Sequence, residues 1–476
     1  MPLVALLASG CATSQPSAQI WLTTADGASK LERQADPSIG QVGDRTATIV
    51  IDPSKTYQTI EGFGASFTDS SSWLIRNKLP TSKRKALLRE LFDRKNGLGF
   101  GLTRLTIGAS DFSLRHYSLN DLAPGQTDPL MQHFSIEKGE PAVLELATQA
   151  RQINPQLKIF ASPWSAPGWM KDNGSLIKGT LRTESYPAFA EYLARYAEAM
   201  RDRGLPIYGL SIQNEPHFQP DNYPGMYLSP AQRAEFIGKH LGPVFAQRGL
   251  TTKIYDWDHN WDQPASPLEV LSDPVASRYV AGTAWHCYAG NVTAQSQVHA
   301  AFPEKETWFT ECSGGGWAPA FGPTLGWMTE NLIIGTTRHW AKGVILWNIA
   351  LDESSGPHLG GCGNCRGVIT IDSKTGTVTR NVEYYVLGHV SRFVQPGSVR
   401  IASESSSAEI LSVAFRNPAR GRMAGSTVLV VYNKAKDRRN IAVELAGAHT
   451  TAMLEPGSVA TLVWSRQPAR NSKTGR

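Results

Sequence analysis

Gly209-Leu210-Ser211-Ile212-Gln213-Asn214-Glu215-Pro216 is a short apolar run that stops at a polar triplet. Tyr208 extends the run, and Pro216 ends any strand pairing because it has no N–H. The stretch reads as a buried strand with a carboxylate at its carboxyl end. Such a carboxylate is costly unless it is paired or used. Taken alone, Glu215 reads as readily as an ordinary strand end with a solvated side chain. Glu306-Thr307-Trp308-Phe309-Thr310-Glu311-Cys312 repeats the form, an apolar strand that stops at a glutamate. Two such glutamates far apart in sequence are what a two-carboxylate glycosidase needs, one as proton donor and one as nucleophile.

Working outward, further strands precede and follow these two. They run over Gln58 to Phe67, Phe100 to Ile107, Leu157 to Ala161, Lys253 to Trp257, Tyr279 to Tyr288 and Val344 to Trp347. Helical segments separate most of them. One is announced by Ser185 and Pro187 and carries Phe189, Leu193, Tyr196 and Met200 at helical spacing. Eight alternating units argue for parallel pairing and fit a (β/α)8 barrel. From Val368 onward short strands recur with no helices, which reads as a β-sandwich. The expected layout is a leader over 1–18 and N-terminal strands over 19–57 that join the sandwich. The barrel then spans 58–349, an active-site loop 350–367, the sandwich 368–466 and a basic tail 467–476.

At 476 residues, 41% hydrophobic and 18% charged, the chain is a globular protein with room for a large core. A formal charge of +6 from 47 basic and 41 acidic residues is small and scattered, which argues against a nucleic-acid partner. Leu3 to Ala8 is apolar but far short of the roughly 20 residues of a membrane span. Ser9-Gly10-Cys11 follows and resembles a bacterial lipobox, in which Cys11 is lipidated. A plain secretory signal is the alternative, and both readings imply export to the periplasm, the outer membrane or the medium, with membrane attachment through the lipid in the first case. Cys362-Gly363-Asn364-Cys365 is a lone CxxC without the second pair that a zinc site needs, and reads as a short-loop disulfide. Cys287 and Cys312 lie on apolar strands and read as small buried residues.

In a (β/α)8 barrel the active site lies at the carboxyl ends of the strands. Those ends carry Asp69, Arg104 with Asp111, Trp164, Asn214 with Glu215, Asp258 with His259 and Asn260, His286 with Tyr288, Glu311, and Trp347 with Asn348. Acids, hydrogen-bonding groups and aromatic plates on one rim suit a neutral, hydroxyl-rich ring. The cations and glycine turn of a phosphate site are missing, and no metal or other cofactor is expected. Arg104 could equally be a structural partner of Asp69 or Asp111, and Trp164 and Trp347 could be plain core.

Glu61 to Asp69, the run Arg104 to Asp111, Ser162-Pro163-Trp164, Asn214-Glu215-Pro216, and Trp347-Asn348 to Gly356-Pro357 resemble glycoside hydrolase family 30, in order and from Gln58 to the C-terminus. The resemblance implies a (β/α)8 barrel with an attached β-sandwich and hydrolysis with retention. It implies Glu215 as acid/base and Glu311 as nucleophile. Arg104, Asp111, Trp164, Asn214, Tyr288 and Trp347 match its sugar-pocket positions, and Asp69, Asn260 and His286 join them as substrate-binding candidates on the rim. The implied substrate is a β-glucan or other β-glucoside. The segment His358 to Gly367 looks closer to the β-1,6-glucanase branch than to glucosylceramidases, and His217-Phe218-Gln219-Pro220 also departs. Glucosylceramide and xylan-type substrates stay open, as does a non-catalytic carbohydrate-binding protein, against which both glutamates count. The negative charge of Glu311, about 5 Å away in a retaining pair, is expected to raise the carboxyl of Glu215 so that it can serve as the acid.

Overall fold

The computed structural model describes residues 18–36 and 47–465, so Cys11 and the basic tail lie outside the described residues. Eight strands close a barrel: β1 Gly62–Ser66, β2 Leu102–Ile107, β3 Lys158–Pro163, β4 Ile207–Ser211, β5 Lys253–Asn260, β6 Val280–His286, β7 Glu306–Glu311 and β8 Ala341–Asn348. Each pairs in parallel with its sequence neighbours, and β8 returns to β1. Leu102, Phe160, Tyr255, Ala284, Trp308 and Ile345 fill the interior. Gly209 is required there, because a Cβ would lie 2.5 Å from the Tyr255 ring and 2.8 Å from that of Phe160. The bulky plug occupies the lower barrel and leaves the strand ends to polar groups.

Helices ring the barrel. Tyr186–Asp202 buries Phe189, Leu193, Tyr196 and Met200, the stripe its spacing announces, and Ser229 opens Pro230–Glu235 with a reciprocal capping box.

The second domain is one continuous nine-stranded sheet. Ala47–Ile60 enters its middle, antiparallel to Ser398–Ser405 and parallel to Arg439–Leu445, before running on into β1. The sheet folds over its own core of Ile49, Ile51, Ile401, Leu429, Val431, Val443 and Leu462. Alternate residues Val428, Val430, Val459 and Val463 turn the other way and join the core shared with the barrel. The sandwich starts later than the expected residue 368. Ile369–Ile371 pairs with Ala350–Leu351 on one side and Val378–Arg380 on the other in a small separate sheet. Val382–Ser391 is then a helix, not a strand, and it packs against β1 and the helix Phe321–Met328. The last barrel helix therefore lies beyond the loop, and the sandwich resumes at Ser398.

Candidate active site

Backbone irregularities at three strand ends aim the polar side chains into the barrel mouth. On β5, Tyr255 faces the interior and Asp256 the helix layer, where it pairs with buried Arg233 at 2.8 Å. Regular alternation would send Asp258 outward as well. A register shift between Trp257 and His259, with left-handed φ of 77° at Trp257 and 49° at Asp258, turns Asp258 inward instead. Glu215 has a left-handed φ of 49°, and its N–H donates to the Asp258 carbonyl at 3.0 Å. A third shift, between Phe309 and Glu311, brings Glu311 beside His286. Three non-glycine residues in this region at one rim mark a backbone held by its surroundings.

Asp258 is the hub of what results. Its carboxylate accepts from Arg104 Nη2 at 2.7 Å, from Thr310 Oγ1 at 2.6 Å and from the Ser211 hydroxyl, and it faces His286 Nε2 at 3.1 Å. Arg104 also donates to Glu311 Oε2 at 2.5 Å and to Asn214 Oδ1 at 2.7 Å. Its expected partners, Asp69 or Asp111, are thus replaced by Glu311 and Asp258. Tyr288 donates its hydroxyl to Glu311 Oε1 at 2.9 Å. On the other side, Glu215 Oε1 lies 2.9 Å from His286 Nδ1 and 3.5 Å from His259 Nδ1.

Burial pushes the Glu215 carboxyl up, but its close contacts with His259 and His286, and their positive charge, outweigh it and hold the group at about 2. The expected upward shift is therefore reversed, because the sequence alone does not place two imidazoles on this carboxylate. Burial raises Glu311, and the charge of Glu215 adds to that against His286 and Arg104. Burial pulls His286 down, but the charge of Glu311 and its bonds to Asp258 and Glu215 carry it to about 9. Burial would raise Asp258 too, yet Arg104 and His286 keep it well below the usual carboxylate range. Protons in such a cluster belong to the group rather than to one residue. Glu215 and His286 are joined by one hydrogen bond of 2.9 Å, across which such a proton is shared.

Of these groups Glu215, His259, Tyr288 and Glu311 line a cavity of about 600 Å³ together with Asp111, Trp164, Asn214, Tyr223, Asn260, Trp347 and Gly361. Trp164 and Trp347 stack with centroids 5.0 Å apart, and the Arg104 guanidinium lies 4.9 Å over the first. Asp111 Oδ1 is buried with no hydrogen-bond partner. Asn260 lines the wall but already accepts from the Tyr288 N–H at 3.0 Å. Asp69 does not reach the cavity. It is the first residue of the helix Asp69–Lys78, capped by Thr68, and it accepts from the Tyr117 hydroxyl at 3.0 Å among the outer helices.

Cys287 and Cys312, which read from sequence as small buried residues, form a disulfide with Cα atoms 5.5 Å apart. It ties the residue before Tyr288 to the residue after Glu311. Cys362 and Cys365 form a second disulfide at the cavity lip. Thr310 and Ser211 are site residues that the sequence does not point to, and it places Asp258 and His259 on the rim without a role. Asp258 and His259 stood at a strand end, and the signal that could have selected Asp258 was the need of a buried Arg104 for more than one anion.

The sequence profile for the glycosyl hydrolase family 30 TIM-barrel domain matches residues 60–394, and that for the family 30 beta sandwich domain matches residues 397–462. The chain belongs to glycosyl hydrolase family 30. The first profile runs through the helix Val382–Ser391, in agreement with its place on the barrel. An endo-1,6-beta-D-glucanase of Neurospora crassa is 34% identical, over 97% of this chain and 98% of its own length. The mouse lysosomal acid glucosylceramidase is 28% identical, over 91% and 87%. The solved structure of the endo-beta1,6-glucanase BT3312 superimposes with a TM-score of 0.87 at 33% identity, covering 95% of this chain and all of that one. The chain is thus a glycoside hydrolase.

Proposed function

We propose that this enzyme cleaves β-1,6-glucan with retention, with Glu311 as nucleophile and Glu215 as acid/base. The observation that carries the assignment is the difference between the two carboxylates. Glu311 accepts from a guanidinium and a phenol, which orient it, and the guanidinium favours the ionised form a nucleophile needs against the rise that burial causes. Glu215 touches imidazoles that can supply and retrieve a proton. Glu311 attacks the anomeric carbon and the bond to the departing oxygen breaks. That oxygen takes the proton that Glu215 shares with His286 Nδ1. Water then attacks the same carbon, gives a proton back through Glu215, and frees Glu311. Asn214, oriented by Arg104, is suited to the sugar 2-hydroxyl, and the unpartnered Asp111 to another hydroxyl.

The choice of β-1,6-glucan is supported by the glucanase relatives, which match nearly end to end. One observation favours a second reading, a glucoside with an apolar aglycone. A groove of about 710 Å³ lined by Trp317, Trp327, Pro319 and Pro323 adjoins the cavity and shares Tyr288 and Trp317 with it. Product analysis on β-1,6-glucan, gentiobiose and glucosylceramide separates the two. Preference for the lipid would overturn the first.

Roles are tested by substitution. Glu215→Ala keeps the first step on substrates whose leaving group needs no proton, accumulates the glycosyl-enzyme and yields a β-glycosyl azide when azide is added. Glu311→Ala loses the first step on every substrate, by at least about 10⁴-fold. An α-azide product from Glu215→Ala would show that the roles are exchanged. Export, with Cys11 as the lipidated residue, belongs to the same proposal and is supported by two disulfides, which persist in oxidising compartments. Metabolic labelling with palmitate tests it, and an unlabelled protein would reject the lipid.

A further inference from the structure

Three donor atoms converge on one wall of the cavity: Glu215 Oε1, His259 Nδ1 and His286 Nδ1. All lie within 4.8 Å of one another, with the carboxylate oxygen 2.9 Å from His286 and 3.5 Å from His259. A tetrahedral zinc ion, with bonds of about 2.0–2.1 Å to nitrogen, holds its ligand atoms roughly 3.3 Å apart. The trio is within small side-chain rotations of that spacing.

Two further features prepare it for a cation. Nδ1 of His259 is buried and makes no hydrogen bond of good geometry: it faces only Glu215 Oε1, at 3.5 Å. A buried polar atom without a partner is costly, and a bound ion would satisfy it. The far nitrogen of His286 faces the Asp258 carboxylate at 3.1 Å, itself fixed by Arg104, Thr310 and Ser211. A carboxylate behind a ligand histidine is the arrangement that orients the ring and raises its basicity in metal sites. The surroundings are also anionic: Glu215, Asp258, Glu311 and Asp111 line or back this region against the single guanidinium of Arg104. Two imidazoles and one carboxylate select a transition metal of the copper or zinc kind over calcium or magnesium, which prefer oxygen ligands. Glu215 and His259 also line the cavity, so an ion held by the trio is reached from it.

We propose that Glu215, His259 and His286 form an inhibitory site for a divalent transition-metal cation, zinc or copper. The bound ion occupies the Glu215 carboxylate, so that this carboxylate cannot protonate a leaving group. Metal binding stands on geometry alone. Only the inhibition rests on the acid/base role proposed above for Glu215.

Titration calorimetry with zinc on metal-stripped, tag-free protein, together with the visible spectrum after addition of cobalt, reads the site directly. One ion per chain with an intense tetrahedral cobalt band is expected. Affinity falls by about 100-fold or more in His259→Gln, and likewise in Glu215→Gln, which serves if the first variant does not fold. Glu311→Gln, outside the trio, keeps the cobalt band. A glucose-configured iminosugar that fills the cavity competes with the metal. In turnover, zinc inhibits the wild type and chelation reverses it. Binding that is unaltered by both substitutions and by the iminosugar, or no binding at millimolar zinc, would overturn the proposal. Binding at the trio without inhibition would instead count against the role given to Glu215.

Discussion

Glu215 and Glu311 end strands of the same kind, yet one carboxylate meets two imidazoles and the other a guanidinium and a phenol. Glu311 is buried and Glu215 half-buried, and both face one cavity. The difference lies in whether the neighbours can release a proton. Arg104 never does so near neutral pH, so the Glu311 side is a fixed electrostatic frame. The Glu215 side is a chain of exchangeable protons that ends at Asp258. Asp258 joins the two, since it accepts from Arg104 and faces His286. A glutamate at a strand end thus takes its chemistry from the residues behind it.

The largest effect is expected where the frame is broken. Arg104→Lys keeps a charge but loses the planar fork that reaches Glu311, Asn214 and Asp258 together. Turnover should fall by about 10²- to 10³-fold on good and poor leaving groups alike, because the nucleophile is disturbed before any proton is needed. A loss confined to poor leaving groups would erase the distinction between the two sides.

His286→Gln tests the other side. Glutamine can still bond to Asp258 and Glu215 but stores no proton. The drop in kcat should be about 10- to 100-fold with substrates whose leaving group needs protonation, and close to nothing with nitrophenyl-type leaving groups. An equal loss on both kinds would make His286 a packing residue rather than one that acts through Glu215.

The contrast was only half legible in the sequence. The barrel could be read because its strands are apolar runs that end in polar residues, and Pro216 marks one end without ambiguity. The two glutamates could be read for the same reason. Asp258 could not be placed, because its inward turn depends on left-handed φ at Trp257 and Asp258, positions at which no glycine signals it. The pairing of Cys287 with Cys312 appears only when β6 and β7 lie side by side in the closed barrel. The helix Val382–Ser391 is built from Val and Tyr, which favour strands, so local preference pointed the wrong way and packing on the barrel decided. Asp69 was misplaced by treating a strand end and a helix start alike. Thr68-Asp69-Ser70-Ser71 is a helix-capping sequence, and the helix carries Asp69 away from the rim.

Asp69 gives the last test and the smallest expected effect on turnover, because it is as buried as Asp258 but makes no direct ion pair, Arg115 acting on it only from a distance. Burial pushes its carboxyl up to about 7, against hydrogen bonds from Ser113 and Tyr117, whereas Arg104 and His286 hold Asp258 low. In the unfolded chain Asp69 titrates near 3.8. Between these values the folded state binds more protons than the unfolded one, so this residue lowers stability as pH rises from about 4 to 7, and its penalty is complete above that. Asp69→Asn cannot titrate and can still accept from Tyr117. Its advantage over the wild type in chemical denaturation should grow across that window and reach, at most, on the order of 4 kcal/mol at pH 8. Activity should stay near the wild-type level throughout. Parallel stability curves for the two proteins would show that Asp69 has a charge partner after all. A large loss of activity without loss of stability would return it to the substrate site.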